Sequence, residues 1–344
     1  MQTSDMQRIR EGLEVKREHL QNWIESTPDE VKSEQLASQD ELAVESHIHQ
    51  LDQAIEAASV GSLGLCEVCH DHVETDLLEM DYTACVCLDH LTDRERRDLE
   101  NELELAQSVQ RTLLPQEVPS ISGLEIAAFS RPALYVGGDY FDFFEFEGGS
   151  LGLAIADVAG HGMSASLHMA SIQALLQALV PSNASPAEVV SKVQHLLSHN
   201  FRFNTFITLF LGAYDPEDEA FRFCNAGHNP ALLYLGDGRQ GEDVAWLGPT
   251  GPALGLLEAA EYHSETVSLR SGDILVLYTD GVTETWSPDG QIQFGKDRLA
   301  DLVMQGSPLA ARDLVREIRT ALEDFTGGSA FEDDVTLLVC KVEG

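Results

Sequence analysis

The chain has 344 residues, 43% of them hydrophobic, which is enough for two or three packed units. Its 58 acidic residues against 21 Lys and Arg give a formal charge of −37, which argues against nucleic acid as a main partner because phosphates would be repelled. No run approaches the ~18 apolar residues of a membrane span, and the polar opening MQTSDMQRIR lacks a signal-peptide core, so a cytoplasmic protein with no membrane association is expected.

Residues 1–60 carry two apolar stripes. Ile9, Leu13, Leu20 and Trp23 form the first; Val44, Ile48, Leu51, Ile55 and Ala58 form the second, with 4-3-4-3 spacing. ESTPDEVKSEQ between them holds the helix breaker Pro28, and an antiparallel helical hairpin is predicted.

Residues 61–91 contain LCEVCHDHVETDLLEMDYTACVCLDHL. Cys66, Cys69, Cys87 and His90 make a C-x2-C-x17-C-x2-H pattern: two chelating turns, each presenting two ligands to one tetrahedral ion. One structural zinc is expected, since a disulfide is disfavoured in a cytoplasmic chain. Cys85 competes with Cys87, but only Cys87 completes an x2 turn with His90. Cys224 and Cys340 stand alone in strand-like runs and read as core.

This spacing, with the lead-in AIEAASVGSLGLCEVC, resembles the DksA/TraR-type zinc finger, in which a helical hairpin precedes a C-x2-C-x17-C-x2-C site; here histidine stands in the fourth position. That family engages RNA polymerase through an acidic Asp-x-x-Asp-Ala tip. This chain offers Asp29 and Glu30 followed by Lys32, a different tip.

Residues 92–116 read as a linker helix, with Thr92 or Asp93 as its cap and Pro115 as its stop. Leu99, Leu103, Ala106 and Leu113 form an a/d seam with Gln110 as its polar member. So thin a stripe is marginal alone in water. A second copy is the simplest partner, giving a coiled-coil homodimer; packing onto the following domain is the alternative.

From 117 to 344 the pattern changes to strands: ALYVGGDYFDFFEF, LGLAIADVAG, TFITLFLGAYD, FRFCNAGH, PALLYL, DILVLYTDG and DVTLLVCKV. Helical patterns occupy 163–180, 187–199 and most of 296–323. An antiparallel α+β domain follows. Four aspartates share one setting at strand ends. Asp139 follows Gly137-Gly138, Asp157 opens Asp-Val-Ala-Gly-His-Gly, Asp280 ends ILVLYT, and Asp334 begins DVTLLV. Carboxylates converging on one point raise each other's pKa and call for a cation. Hard oxygen ligands favour Mg²⁺ or Mn²⁺. Asp142, Glu284 and Asp333 are candidate outer ligands.

VGGDYFD, DVAGHG, NAGHNPALLY, GPALGL, SGDILVLYTDGVTE and FEDDVTLLV occur in an order that resembles SpoIIE/RsbU-type serine phosphatases, of the metal-dependent protein phosphatase 2C superfamily. LELAQSVQRTLLPQ resembles that family's linker helix. The resemblance implies two packed antiparallel sheets flanked by helices, with two Mn²⁺ or Mg²⁺ ions at one edge. It implies Asp157 bridging both ions, the Val158 carbonyl as a further ligand, Asp280 and Asp334 on one ion, and Asp139 on the other. It also implies direct attack of water on a phosphoserine or phosphothreonine, with His161 a candidate proton donor and His228 a loop-shaping residue. The implied substrate is a phosphorylated STAS-domain anti-anti-sigma factor or a similar bacterial regulator, with the N-terminal modules controlling activity. A transcription regulator acting through the zinc hairpin, and an inactive scaffold, are the competing readings.

Overall fold

The computed structural model describes residues 6–7, 9–10, 12–14, 17–18, 21, 41–73, 78, 82–160, 162–198, 206–236, 243–257 and 259–343. They fall into two compact units, Met1–Glu102 and Leu103–Gly344.

In the first unit, helical residues among 6–21 precede α1 (Glu41–Ser59). Ile9 and Leu13 share a small core with Leu51, Ala54, Ala58, Leu63, Val73 and Leu78, and Cys66 and Cys87 belong to the same core. Arg17 pairs with Asp52 at 2.8 Å. Leu20, Trp23, Pro28, Asp29, Glu30 and Lys32, on which the hairpin and its tip depend, lie outside the described residues.

The linker helix α2 (Asp93–Leu113) starts on a capping box. Glu95 N–H donates to Thr92 Oγ1 at 3.3 Å, and the Thr92 N–H donates back to Glu95 Oε2 at 2.9 Å. Thr92 is therefore the cap. The helix buries no residue fully. Leu99, Leu103, Ala106, Gln110 and Leu113 are half-buried, while Leu105 and Val109 on another face are exposed. The division between the two units falls within this helix.

The second unit holds β1 (Leu124–Arg131), β2 (Tyr140–Glu145), β3 (Leu151–Val158), β4 (Ile207–Asp215), β5 (Ala220–Ala226), β6 (Ala231–Tyr234), β7 (Val244–Leu247), β8 (Glu265–Ser268), β9 (Ile274–Tyr278) and β10 (Val335–Val342). They form two five-stranded sheets, ordered β1-β10-β9-β6-β7 and β2-β3-β4-β5-β8, with antiparallel pairing throughout. Helices α3 (Gly162–Leu179) and α4 (Pro186–Ser198) cover the second sheet; α6 (Gly295–Gln305) and α7 (Ala311–Phe325) cover the first, after the short α5 (Asp280–Thr283).

Strand alternation builds these layers. Leu151, Leu153 and Ile155 of β3 face the other sheet, and Ala154, Ala156 and Val158 face the helices. Likewise Leu338, Cys340 and Val342 of β10 point between the sheets, while Val335, Leu337 and Val339 meet α6 and α7. Both faces are buried, which explains why these strands read as unbroken apolar runs. On α7, Ala311, Leu314, Val315, Ile318 and Leu322 form one buried helical stripe. Gly212 leaves room for the Phe221 ring, which stacks with Phe210 and Phe223 between the sheets. By length and composition α3 and the turn after it, Gly162–Ser182, are apolar enough for a membrane span, contrary to expectation. Its Met169, Ile172 and Leu176 lie in the core instead.

The predicted strand ALYVGGDYFDFFEF is shorter than its apolar run. Pairing of β1 with β10 ends at Arg131, and pairing of β2 with β3 begins at Tyr140. The segment 132–139 between them has no ladder partner. Its backbone is held by side chains, and that segment builds the site.

Candidate metal centre

The four aspartates converge from both sheets. Asp139 immediately precedes β2, Asp157 is the penultimate residue of β3, Asp280 opens α5 two residues past the end of β9, and Asp334 immediately precedes β10. Asp139 and Asp334 are buried; Asp157 and Asp280 are partly exposed. Burial, and then the charges of Asp280, Asp333, Asp334 and Glu284, push the Asp157 carboxyl up to about 8. Burial, Asp333 and Glu284 push Asp280 up to about 6. Asp139 is held well above the usual carboxylate range by burial and by Asp157 and Asp334. None of the ion pairs among the described residues involves these six acids. So much uncompensated negative charge in one place asks for cations.

Backbone geometry points the same way. A Cβ on Gly137 would collide with the Asp334 carboxylate, and one on Gly281 with the Asp334 carbonyl. A Cβ on Gly138 would lie 2.9 Å from the Val158 carbonyl oxygen. Glycine is required at these positions because carboxylate and carbonyl oxygens press into the same space. Asp334 Oδ1 accepts from Ala133 N–H at 2.8 Å and Oδ2 from Gly138 N–H at 2.7 Å, which fixes its plane. Asp139 Oδ2 accepts from Thr279 Oγ1 at 2.7 Å, and Thr279 Oγ1 in turn accepts from Thr336 N–H.

Such a set of hard oxygens, with the Val158 carbonyl beside it, suits hard divalent ions. In the first unit Cys66, Cys69, Cys87 and His90 form a second set, whose ligand atoms all lie within 4.8 Å of one another. In that set Cys66 Sγ and Cys87 Sγ are 3.5 Å apart and Cys69 Sγ and Cys87 Sγ 3.7 Å. About 3.8 Å is the edge of a tetrahedron with Zn–S bonds of ~2.3 Å. Backbone N–H groups of Cys69 and Cys87 lower the Cys66 thiol, while burial and the neighbouring sulfurs raise that of Cys87, as when crowded thiols share one negative charge without a cation. Cys85 is exposed and outside the set. Cys224 and Cys340 are buried in strands, as read from the sequence.

Asp142 is not an outer ligand. Its oxygens accept from Tyr140 OH, Phe143 N–H and Gln177 Nε2 at 2.7–2.8 Å, because its side chain leaves β2 toward α3 rather than toward the other aspartates. Glu284 and Asp333 are exposed at the rim, where their charges act on Asp157 and Asp280. His161 lies outside the described residues. His228 is buried and neutral, its pKa lowered to about 4 by burial. Its Nε2 meets the Tyr278 carbonyl at 3.1 Å and its Nδ1 meets Thr208 Oγ1 at 2.8 Å. With Nε2 the donor, Nδ1 must accept from the threonine. This ring ties β4, next to Asp157, to the end of β9, just before Asp280. Thr279 and Gln110 also serve this region, and neither was assigned a role from sequence. Thr279 sits inside the LYTDG motif; Gln110 was visible only as the polar member of an apolar seam.

Residues 147–343 match the SpoIIE family profile, stage II sporulation protein E. Phosphoserine phosphatase RsbU of Bacillus subtilis is 31% identical over 249 residues, covering 72% of this chain and 71% of that protein. Phosphoserine phosphatase RsbP of the same organism is 27% identical over 246 residues, 70% of this chain and 58% of that protein. Among solved structures, the SiaA-PP2C domain of Pseudomonas aeruginosa superposes with a TM-score of 0.63 at 21% identity, covering 73% of this chain and 100% of that one. The RsbU and RsbW domains of a Mycobacterium tuberculosis protein give a TM-score of 0.55 at 26% identity, covering 67% of this chain and 63% of that one.

Proposed function

Given that this chain belongs to the SpoIIE family and is a serine/threonine phosphatase, we propose that it removes phosphate from a phosphorylated bacterial regulatory protein, a STAS-domain anti-anti-sigma factor or close equivalent. Two Mn²⁺ or Mg²⁺ ions would be held by Asp139, Asp157, Asp280, Asp334 and the Val158 carbonyl. The carrying observation is the convergence of these carboxylates, without a basic partner among the described residues, on a glycine-lined space. When bound there, the ions supply charge stabilisation to the phosphoryl oxygens and make an attacking water more acidic.

The chain's own residues do the rest. Asp157 stands at the end of a rigid central strand, between acids of both sheets, which suits a bridging position. Asp334 is oriented by two backbone amides and Asp139 by Thr279, so neither must reorganise as charge develops. His228 has both ring nitrogens committed and serves the scaffold.

Asp157→Ala should lower Mn²⁺-dependent hydrolysis of an aryl phosphate and of a phospho-STAS protein by at least about a hundredfold, with the fold retained. Near-wild-type turnover at saturating Mn²⁺ would remove the metal assignment.

The same reading gives the N-terminal unit a structural zinc on Cys66, Cys69, Cys87 and His90, in a DksA/TraR-like finger, and a cytoplasmic homodimer joined through α2. The tight grouping of the four ligand atoms supports the zinc. Metal analysis should find one zinc per chain, lost in Cys66→Ser and kept in Cys85→Ser; equal loss in both would contradict the ligand choice.

A further inference from the structure

The segment 132–139 carries Asp139 and cradles Asp334, yet no strand pairs with it. At Gly137 its backbone is held by one side chain of the linker helix. Gln110 Nε2 donates to the Gly137 carbonyl at 2.6 Å, and Gly137 N–H donates to Gln110 Oε1 at 3.1 Å. The amide thus satisfies both backbone groups of a single residue, as a neighbouring strand would, and this double contact also fixes which end of the amide is which. One turn earlier on the same helix, Gln107 Nε2 donates to the Tyr135 carbonyl at 3.0 Å.

What Gln110 holds is the tightest part of the site. Gly137 packs against the Asp334 carboxylate so closely that a Cβ would overlap it. The next N–H, of Gly138, is the 2.7 Å donor to Asp334 Oδ2. The residue after that is Asp139. A sub-ångström shift of Gly137 therefore moves one carboxylate directly and the donor of a second.

We propose that Gln110 is a positioning residue for the metal centre: by clamping Gly137 it sets the Asp139–Asp334 spacing, and so makes divalent-metal affinity depend on the seating of the linker helix. The inference rests on the metal reading above and assigns its control to one side chain. A side-chain tip lies roughly 5–6 Å from its helix axis, so turning α2 by about 30° carries this amide about 3 Å, out of hydrogen-bond reach. With the clamp released, Gly137 loses its partners and the two carboxylates lose their fixed distance. The ions would then have to pay for ordering the segment themselves.

The test uses the full chain and two readouts besides activity: Mn²⁺ affinity by calorimetry, and hydrogen exchange of the 132–140 peptide without metal. Gln110→Met, of matched length but without hydrogen bonds, should weaken Mn²⁺ binding by about tenfold. It should also speed exchange of that peptide, and leave turnover at saturating Mn²⁺ within about twofold of wild type. Gln110→Glu keeps the acceptor for Gly137 N–H but sets a carboxylate against the Gly137 carbonyl, and should weaken binding as well. It serves should the methionine variant fail to fold. Ser108→Ala, on an exposed face of the same helix, should bind as wild type does. Unchanged Mn²⁺ affinity in a folded Gln110 variant would overturn the clamp while leaving the metal reading intact. A lower melting temperature with unchanged affinity would do the same, since that is mere scaffolding. No Mn²⁺ binding by the wild-type chain would overturn both together.

Discussion

Asp157, Asp139 and Asp280 have pKa values raised by burial and by one another, so in the metal-free protein they favour the fold only while protonated. Their contribution is present at low pH and is lost as pH rises through about 6 for Asp280 and about 8 for Asp157. His228, lowered to about 4, acts oppositely: it costs stability as pH falls below its unfolded value of ~6.5. The interval from pH 6.5 to 8.5 therefore isolates the carboxylates. In EDTA the phosphatase unit should lose on the order of 2 kcal/mol across it, and Asp157→Asn should remove most of that slope. Urea midpoints at the two pH values decide; a flat wild-type response would show that the cluster is not electrostatically strained. Gly138→Ala tests the same crowding sterically. Its Cβ would meet the Val158 carbonyl at 2.9 Å and the Ala165 side chain at 3.2 Å. Overpacking costs about 1–3 kcal/mol, so Mn²⁺ affinity should drop by about tenfold or more. Unaltered calorimetric affinity would mean the carbonyl is not part of the site. At this scale the sequence was informative about which acids converge and silent about what positions them. Aspartate beside glycine at a strand end is a local pattern. Asp142 lies inside β2 rather than at its end, and strand alternation sends its side chain to α3. Gln110 and Thr279 act across gaps of 27 and 140 residues, which no local spacing reveals.

The central strands and the long helices were legible because burial on both faces leaves an apolar run of strand length, and one-sided burial leaves a helical stripe. β1, β7 and β8 were missed for the converse reason. β7 and β8 are four-residue edge strands that bury only Leu247 between them, and β1 is an edge strand whose outer residues include Ser130 and Arg131. The helical pattern over 296–323 is two helices, α6 and α7, divided at 306–310, where Gly306 lies against the Leu314 side chain. α2 shows how a marginal stripe is resolved: near its end Gln107 and Gln110 fasten it to its own domain, while Leu105 and Val109 remain exposed. Its start is set by Thr92, and Thr92→Ala should destabilise the helix by about 1 kcal/mol, read as lower helicity in circular dichroism of the full chain. If α2 also joins two chains through Leu99 and Leu103, Leu103→Glu should shift sedimentation toward the monomer. An unchanged sedimentation coefficient would sink the proposed dimer.

Across the whole molecule, the charge of −37 sets a general penalty on compactness, and the metal site concentrates it. Screening should relieve the general part: raising NaCl from 10 to 300 mM shortens the Debye length from ~30 to below 8 Å. The metal-free melting temperature should rise with it, and a fall would show that attractive surface pairs dominate. A separate consequence comes from Gln110 touching only main-chain atoms of Gly137. α2 is then a keyed shaft whose socket is main chain, at a residue that must carry no side chain. On the proposed control, the property an upstream module must preserve is its angular phase on the helix. Seven added residues bring the upstream surface back to within about 20°, whereas two carry it to roughly the opposite side. Modules of different origin could thus be exchanged at this joint by cutting and rejoining a helix in register. If the proposed control through α2 operates, seven-residue insertions ahead of Leu99 should keep it, and two-residue insertions should abolish it while leaving Mn²⁺-dependent turnover intact.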